Sequence, residues 1–342
     1  MNAILRFIAA AAALSLTGYG PPTAKADPVK AAPDKAEAVT LRFASMDVSP
    51  DGKTMVFSGS GNGGTHLYLL NLATKKVVQL TNTKTSDNYP AFSPDGKTIV
   101  YQSAASLTSS RHLFLLSVAG KTSRQLTKVE ATSDDNPRFS PNGEKIVFSR
   151  ATQFHAEPPQ IGGTSNRYNV WVMNRNGTQP LQVTRFDCND TLRPAFYPDN
   201  RHILYDKAIA NDDVTSGSER SIVRADTTGQ DPDVDIIKFS ESDSTEYSCP
   251  FLCPDGQQIV LDGQVGSALD LYTVPVAGGD PSPVLSGNVG TGLNNAVITP
   301  DGKSIYCLKV FAGDLYKMDI DGTHPLKFAD RRLFDDPMHW KP

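Results

Sequence analysis

The chain has 342 residues, 39% of them hydrophobic and 20% charged, with 26 Gly and 24 Pro. That length and aliphatic content suit two average domains or one large closed architecture, and they exclude wholesale disorder. A formal net charge of −4 lacks the basic excess of a nucleic-acid binder, and 4 Cys are too few for a disulfide scaffold.

In chain order, residues 1–26 read as a cleaved signal peptide. Arg6 makes a thin positive start, Phe7 to Leu16 is apolar, and Ala24-Lys25-Ala26 fits the small-x-small cleavage rule. Beyond it no apolar run approaches the roughly 18 residues that span a bilayer, so no membrane span is expected after cleavage. The mature chain is therefore expected in the periplasm or secreted. Residues 27–38, rich in Pro, Ala and charge, read as a flexible arm.

From residue 39 onward the chain is a repeat. One phrase returns as VSPDGKTMVFSG from Val48, FSPDGKTIVYQS from Phe92 and FSPNGEKIVFSR from Phe139. It continues as FYPDNRHILYDK from Phe196, LCPDGQQIVLDG from Leu252 and ITPDGKSIYCLK from Ile298. The anchoring prolines at 50, 94, 141, 198, 254 and 300 are 44, 47, 57, 56 and 46 residues apart. Each phrase spells strand, tight turn, strand: Pro presets its own φ, Asp favours the turn, and Gly takes a positive φ without a steric penalty. A third strand recurs at His66, His112, Asn169, Asp270 and Asp314. A fourth ends in Leu80-Thr81, Leu126-Thr127 and Val183-Thr184. Four strands per unit, a period near fifty and six units predict an all-β chain, a six-bladed β-propeller of four-stranded antiparallel blades over residues 39–342.

The Ser-Pro-Asp-Gly phrase, the Asp/Asn-Leu-Tyr-x-Met-Asp-x-x-Gly phrase and the Leu-Thr ending resemble those of the TolB-like propeller family, over nearly all of the chain after residue 40. The resemblance implies a cell-envelope role in binding a protein partner. TolB proper carries an N-terminal α/β domain before its propeller, and no room for one is expected here. The ring must also close: either Val39 to Phe43, read as an extra strand, or the C-terminal phrase from Asp335 to Trp340 is expected to complete the sixth sheet.

Candidate site residues follow from the expected geometry. The first strand of each blade should line a central channel, with the Pro-Asp-Gly turns on one face and the inter-blade loops on the other. The loop face carries the insertions at 151–167 in blade 3 and 208–220 in blade 4, and loops on a rigid scaffold are where binding concentrates. Carboxylates outnumber bases in the inter-blade loops, which predicts an acidic channel mouth facing a basic patch on an envelope protein. The residues singled out are Asp87, Asp134, Asp135, Asp190 and Glu246, joined by Phe154, His155 and Tyr168 from blade 3.

No cofactor is required by any motif, although Asp134-Asp135 with Asp87 or Asp190 could supply oxygens to Ca²⁺. Gly-x-Ser-x-Gly, His-Glu-x-x-His and Cys-x-x-Cys are absent from the sequence, so a non-enzymatic, monomeric, protein-binding module is favoured. The alternative is a carbohydrate-binding or carbohydrate-active propeller of lyase or hydrolase type, with a small ligand in the channel. Cys188 precedes the inner strand of blade 4, Cys249 begins that of blade 5, and the two form the one disulfide considered.

Overall fold

The computed structural model describes residues 42–330 apart from 62–63, 107–108, 156–163, 186–191, 210–218, 229, 239–244, 266–267, 285–288, 290 and 310–311. Its strands fall into six antiparallel sheets of four, each sheet drawn from strands consecutive in the sequence. This is the six-bladed propeller that the repeat predicts.

Blade 1 comprises β1 (Arg42–Val48), β2 (Thr54–Gly61), β3 (Gly64–Asn71) and β4 (Val77–Gln79). Blade 2 comprises β5 (Ser86–Phe92), β6 (Thr98–Ala104), β7 (His112–Ser117) and β8 (Thr122–Gln125). Blade 3 has the longest hairpin: β9 (Ser133–Phe139), β10 (Lys145–His155), β11 (Thr164–Asn174) and β12 (Leu181–Gln182). Blade 4 is β13 (Ala195–Phe196), β14 (His202–Ile209), β15 (Glu219–Asp226) and β16 (Val234–Ile237). Blade 5 is β17 (Thr245–Leu252), β18 (Gln258–Val265), β19 (Ala268–Pro275) and β20 (Ser282–Pro283). Blade 6 is β21 (Leu293–Ile298), β22 (Ser304–Lys309), β23 (Asp314–Asp319) and β24 (Leu326–Ala329).

The repeated residues earn their places by hydrogen bonding. In the first turn, Gly52 N donates to Ser49 O at 2.8 Å and Thr54 N to Ser49 Oγ at 3.0 Å. Ser49 Oγ in turn donates to Asp51 Oδ1 at 2.7 Å, which also receives Lys53 N. The same pattern recurs around Ser93, Ser140 and Thr299. The turn glycines have φ near +70°, and a Cβ on Gly143 or Gly256 would lie 3.5 or 3.0 Å from a ring atom of the preceding blade's Pro94 or Pro198. Glycine is thus required twice over, by backbone angle and by the neighbouring proline. The Leu-Thr ending has an equally local cause. Thr81, Thr127 and Thr184 each accept, on Oγ1, the amide of a third-strand residue: Leu67, Leu113 and Val170.

Between blades the packing is apolar. The second strand contributes buried side chains on both of its faces, such as Val56 and Phe57, or Val147 and Phe148. That is why it reads as a continuous hydrophobic run rather than an alternating one.

Closure departs from one of the two alternatives expected. Among the described residues blade 6 takes four strands from residues 293–329, and Arg42 and Phe43, read as part of an extra strand, open β1 itself, while the C-terminal phrase from Asp335 to Trp340 lies outside the described residues. Blades 1 and 6 meet instead through side chains: Phe43, Met46, Phe57 and Tyr68 share one buried cluster with Val297, Tyr306, Leu308 and Leu315. Lys75 adds a hydrogen bond from Nζ to Phe328 O at 3.1 Å.

Candidate functional site

The six inner strands converge on an axial channel, and bulges in five of them shape its waist. Register slips at Phe43/Ser45, Asn88/Ala91, Val147/Ser149, Ser248/Phe251 and Asn294/Val297 mark the bulges in five blades. Every blade contributes to the cavity at the waist, among them Ser45, Tyr89, Asn136, Arg193, Cys249 and Asn295. Four of them are left-handed, with φ of 50° at Tyr89, 52° at Asn136, 55° at Cys249 and 51° at Asn295. Such backbone costs on the order of 1 kcal/mol per residue and persists only where the surroundings hold it.

Here side chains hold it by capturing the bulge amides. Tyr89 N donates to Ser45 Oγ (2.9 Å), Asn136 N to Gln102 Oε1 (2.9 Å), and Asn295 N to Asp262 Oδ1 (3.1 Å). Arg193 N donates to Asp206 Oδ1 at 2.7 Å. Gln102, Asp206 and Asp262 occupy one repeat position, directly after the Lys-x-Ile-Val-Phe run, where Ser58, Ser149 and Leu308 stand in the other blades. All six are buried.

Arg193 dominates the waist. Its guanidinium donates to Cys249 Sγ and to Asn295 Oδ1 at 3.4 Å, and lies 5.8 Å from the Tyr89 ring centroid. Burial works against its charge, but the Coulombic pull of Cys249, Tyr89, Asp206 and Asp262 overrides it and raises its pKa. The same burial pushes the Cys249 thiol up, and it lifts Asp262 to about 6 against the opposing pull of Arg193 and the Asn295 amide. Arg138 stands farther along, 5.1 Å from the Phe251 ring centroid, with Asp47 Oδ1 3.7 Å from its Nη1. The cavity between these groups measures about 60 Å³. That is room for a few water molecules at the narrowest part of the channel.

The loop-side residues singled out from the sequence are placed differently from one another. Asp134 is fully buried and bidentate with Arg150: Nε donates to Oδ1 at 2.5 Å and Nη2 to Oδ2 at 2.9 Å. Arg150 is itself held near the Phe148 and Trp171 rings. Asp135, 2% exposed, accepts from Arg111 Nη2 on Oδ2 at 3.1 Å with Arg111 Nε ion-paired against Oδ1, and Tyr168, also 2% exposed, donates to it at 3.1 Å while accepting from Arg111 at 2.8 Å. Burial lifts the Asp135 carboxyl against the pull of Arg111. Asp87 is buried as well, with Oδ1 accepting from Ser103 (2.6 Å) and Thr85 (2.9 Å).

These three acids therefore do not form the exposed acidic surface expected of them. Asp134 and Asp135 are neutralised inside the blade 2–3 seam, and a Ca²⁺ at Asp134 would have to displace Arg150. Glu246, near the start of β17, is exposed, and Phe154 is half-buried near the end of β10. The side chain of His155 and the whole of Asp190 and Cys188 lie outside the described residues. Cys249, Cys253 and Cys307 carry free thiols.

Sequence reasoning passed over Arg138 and Arg193, which are the basic groups of the channel. A signal existed: Arg193 directly precedes, and Arg138 directly follows, the proline of an inner-strand Xaa-Pro pair. In the aligned repeats those positions hold Tyr89 and Ala91, or Cys249 and Phe251. The bulge that turns them toward the axis is set by pairing with the second strand and is not written locally.

Comparison with known proteins agrees with this geometry. Residues 43–157 match the family described as the TolB beta propeller domain. A Tol-Pal system protein, TolB of Francisella tularensis subsp. holarctica, is 32% identical over 85 residues, which are 25% of this chain and 20% of the relative's length. Among solved structures, TolB from Acinetobacter baumannii superposes with a TM-score of 0.57 at 18% identity, covering 82% of this chain and 62% of that one. Oligogalacturonate lyase from Vibrio parahaemolyticus superposes with a TM-score of 0.57 at 16% identity, covering 85% and 79%. At those identities the structural likeness speaks for the fold alone.

Proposed function

Taking as its premise that the chain is a TolB-like six-bladed β-propeller, we propose that it is an exported, non-enzymatic scaffold of the cell envelope that binds a protein partner over its loop face. The observation that carries this reading is the blade 3 hairpin. β10 and β11 are 11 residues each, against six to eight for the corresponding strands elsewhere. Three extra residues extend the hairpin by about 10 Å beside the channel mouth. It leans on the preceding inter-blade loop through a hydrogen bond from Phe154 N to Ala131 O at 3.1 Å. That loop exposes Val129 at 49% beside the exposed Glu130, an apolar anchor with a charged rim. The channel waist, narrowed to about 60 Å³, favours recognition on a face over recognition inside.

The test is an affinity capture from an envelope fraction with the chain from Asp27 as bait. Beside it runs a variant carrying Val129→Glu and Glu246→Lys, two exposed positions whose change spares the buried ion pairs. A protein retained by the native bait and lost from the variant supports the reading. Equal capture by both removes the loop face from consideration.

One observation favours a second reading, a carbohydrate-binding or carbohydrate-active propeller: Arg138 and Arg193 make the channel basic rather than acidic. Binding of an acidic oligosaccharide that is lost on Arg193→Gln would move the assignment there.

A further inference from the structure

On the turn side of the waist, the channel widens into a second cavity of about 310 Å³. Blades 2 to 5 line it, with Pro94, Pro141, Pro198 and Pro254 of the turns at its rim and Phe251 in its wall. Among its lining residues Arg138 is the one that carries a charge. The rim is stiff: proline fixes its own φ, and Pro94 and Pro198 lie so near the turn glycine of the following blade that a Cβ there would stand 3.5 or 3.0 Å from the ring. Volume, a mostly apolar lining and a charged anchor are what a small-molecule site requires.

Arg138 is available to a ligand. Asp47, which stands nearest it, has Oδ2 committed to Phe92 N at 2.8 Å, while Oδ1 is 3.7 Å from Nη1, beyond hydrogen-bond reach. Burial raises the Asp47 carboxyl's pKa in spite of Arg138, as a loosely held pair would. The guanidinium carbon lies 5.1 Å from the Phe251 ring centroid, and the phenylalanines and prolines of the cavity offer its N–H groups no side-chain acceptor. A guanidinium presents a fork that matches a carboxylate in two parallel hydrogen bonds. A polyhydroxylated ligand would instead leave its hydroxyls unpaired against Phe and Pro.

We propose that this turn-side cavity binds a small carboxylic acid with a flat apolar body, its carboxylate on Arg138 and its body between Phe251 and the proline rim. The site shares no residue with the loop face to which protein binding is assigned, so either assignment can fail without the other.

The experiment titrates the chain from Asp27 with 3-phenylpropionic acid and with its uncharged amide, following ligand saturation-transfer NMR. The acid is expected to bind at least tenfold more tightly than the amide, and Arg138→Gln is expected to bring the two to parity. Ala195→Leu, which fills the cavity from a half-buried position without touching the charge, should weaken both. Equal affinity of acid and amide for the native chain overturns the proposal. So does an acid preference that survives Arg138→Gln, binding indifferent to Ala195→Leu, or no binding of the acid. Should Arg138→Gln lose its cooperative melt, the native acid-to-amide ratio and Ala195→Leu decide the matter alone.

Discussion

Two seams of the same ring are built on different chemistry. Where blades 2 and 3 meet, an apolar layer of Leu113, Phe139, Phe148 and Met173 is overlaid on the loop side by Asp134–Arg150 and by the Asp135–Arg111–Tyr168 triad. Where blades 6 and 1 meet, the buried cluster is aromatic and aliphatic, with Lys75 on Phe328 as its polar tie. Buried charge is costly to desolvate and adds little net stability, but it punishes any misalignment that would unpair it. Apolar contact is tolerant of small shifts and supplies cohesion in proportion to area. The difference suggests a division of labour. The polar seam fixes the register of the long blade 3 hairpin beside the channel, and the apolar seam closes a ring whose first and last blades share no strand among the described residues.

Breaking the polar seam should cost most. Arg150→Ala leaves the Asp134 carboxylate buried and unpaired, and denaturant unfolding should show a loss of about 3–5 kcal/mol. Loss below about 1 kcal/mol would mean that the pair is dispensable. In the apolar seam, Leu315→Ala removes a side chain with 0% exposure, and the expected loss is about 2–4 kcal/mol. Its calorimetric transition should stay cooperative, because the surrounding cluster can relax.

The seam between blades 5 and 6 is intermediate, since one buried acid, Asp262, ties the Asn295 amide across it. Its folded pKa of about 6 lies above the ordinary aspartate value of 3.8. The native state therefore holds the proton more tightly than the unfolded chain. The resulting stabilisation is fully present below pH 3.8 and is lost as pH rises through 6. Melting curves from pH 4 to 7 should show this decline, on the order of 1–2 kcal/mol, in the native chain and not in Asp262→Asn. Parallel curves for the two proteins would remove Asp262 as the cause. Smallest is a control within one blade: Thr127→Val orphans the Leu113 amide and should cost about 1 kcal/mol without altering either seam.

Much of this was legible before any coordinates. The turn phrase names its own hydrogen bonds, since Ser, Asp and Gly satisfy one another within five residues. The Leu-Thr ending announces a side chain that returns to the third strand. The acids were visible too, but their fate was not. Asp134 and Asp135 read as an open acidic loop because the bases near them in sequence, Lys128 and Arg138, are not their partners. Their partners Arg150 and Arg111 stand 16 and 24 residues away and arrive by strand pairing and blade packing.

The sequence by itself determined the repeat, the blade number and the turn chemistry, because each rests on bonds between near neighbours repeated six times. The tertiary structure alone decided which charges are spent in seams and which face the channel, and how the ring closes. Those outcomes depend on bulges and on contacts between residues remote in sequence. Arg138 shows the point: an ordinary inner-strand residue in the chain, it becomes the single charge lining the turn-side cavity once four blades are assembled around it.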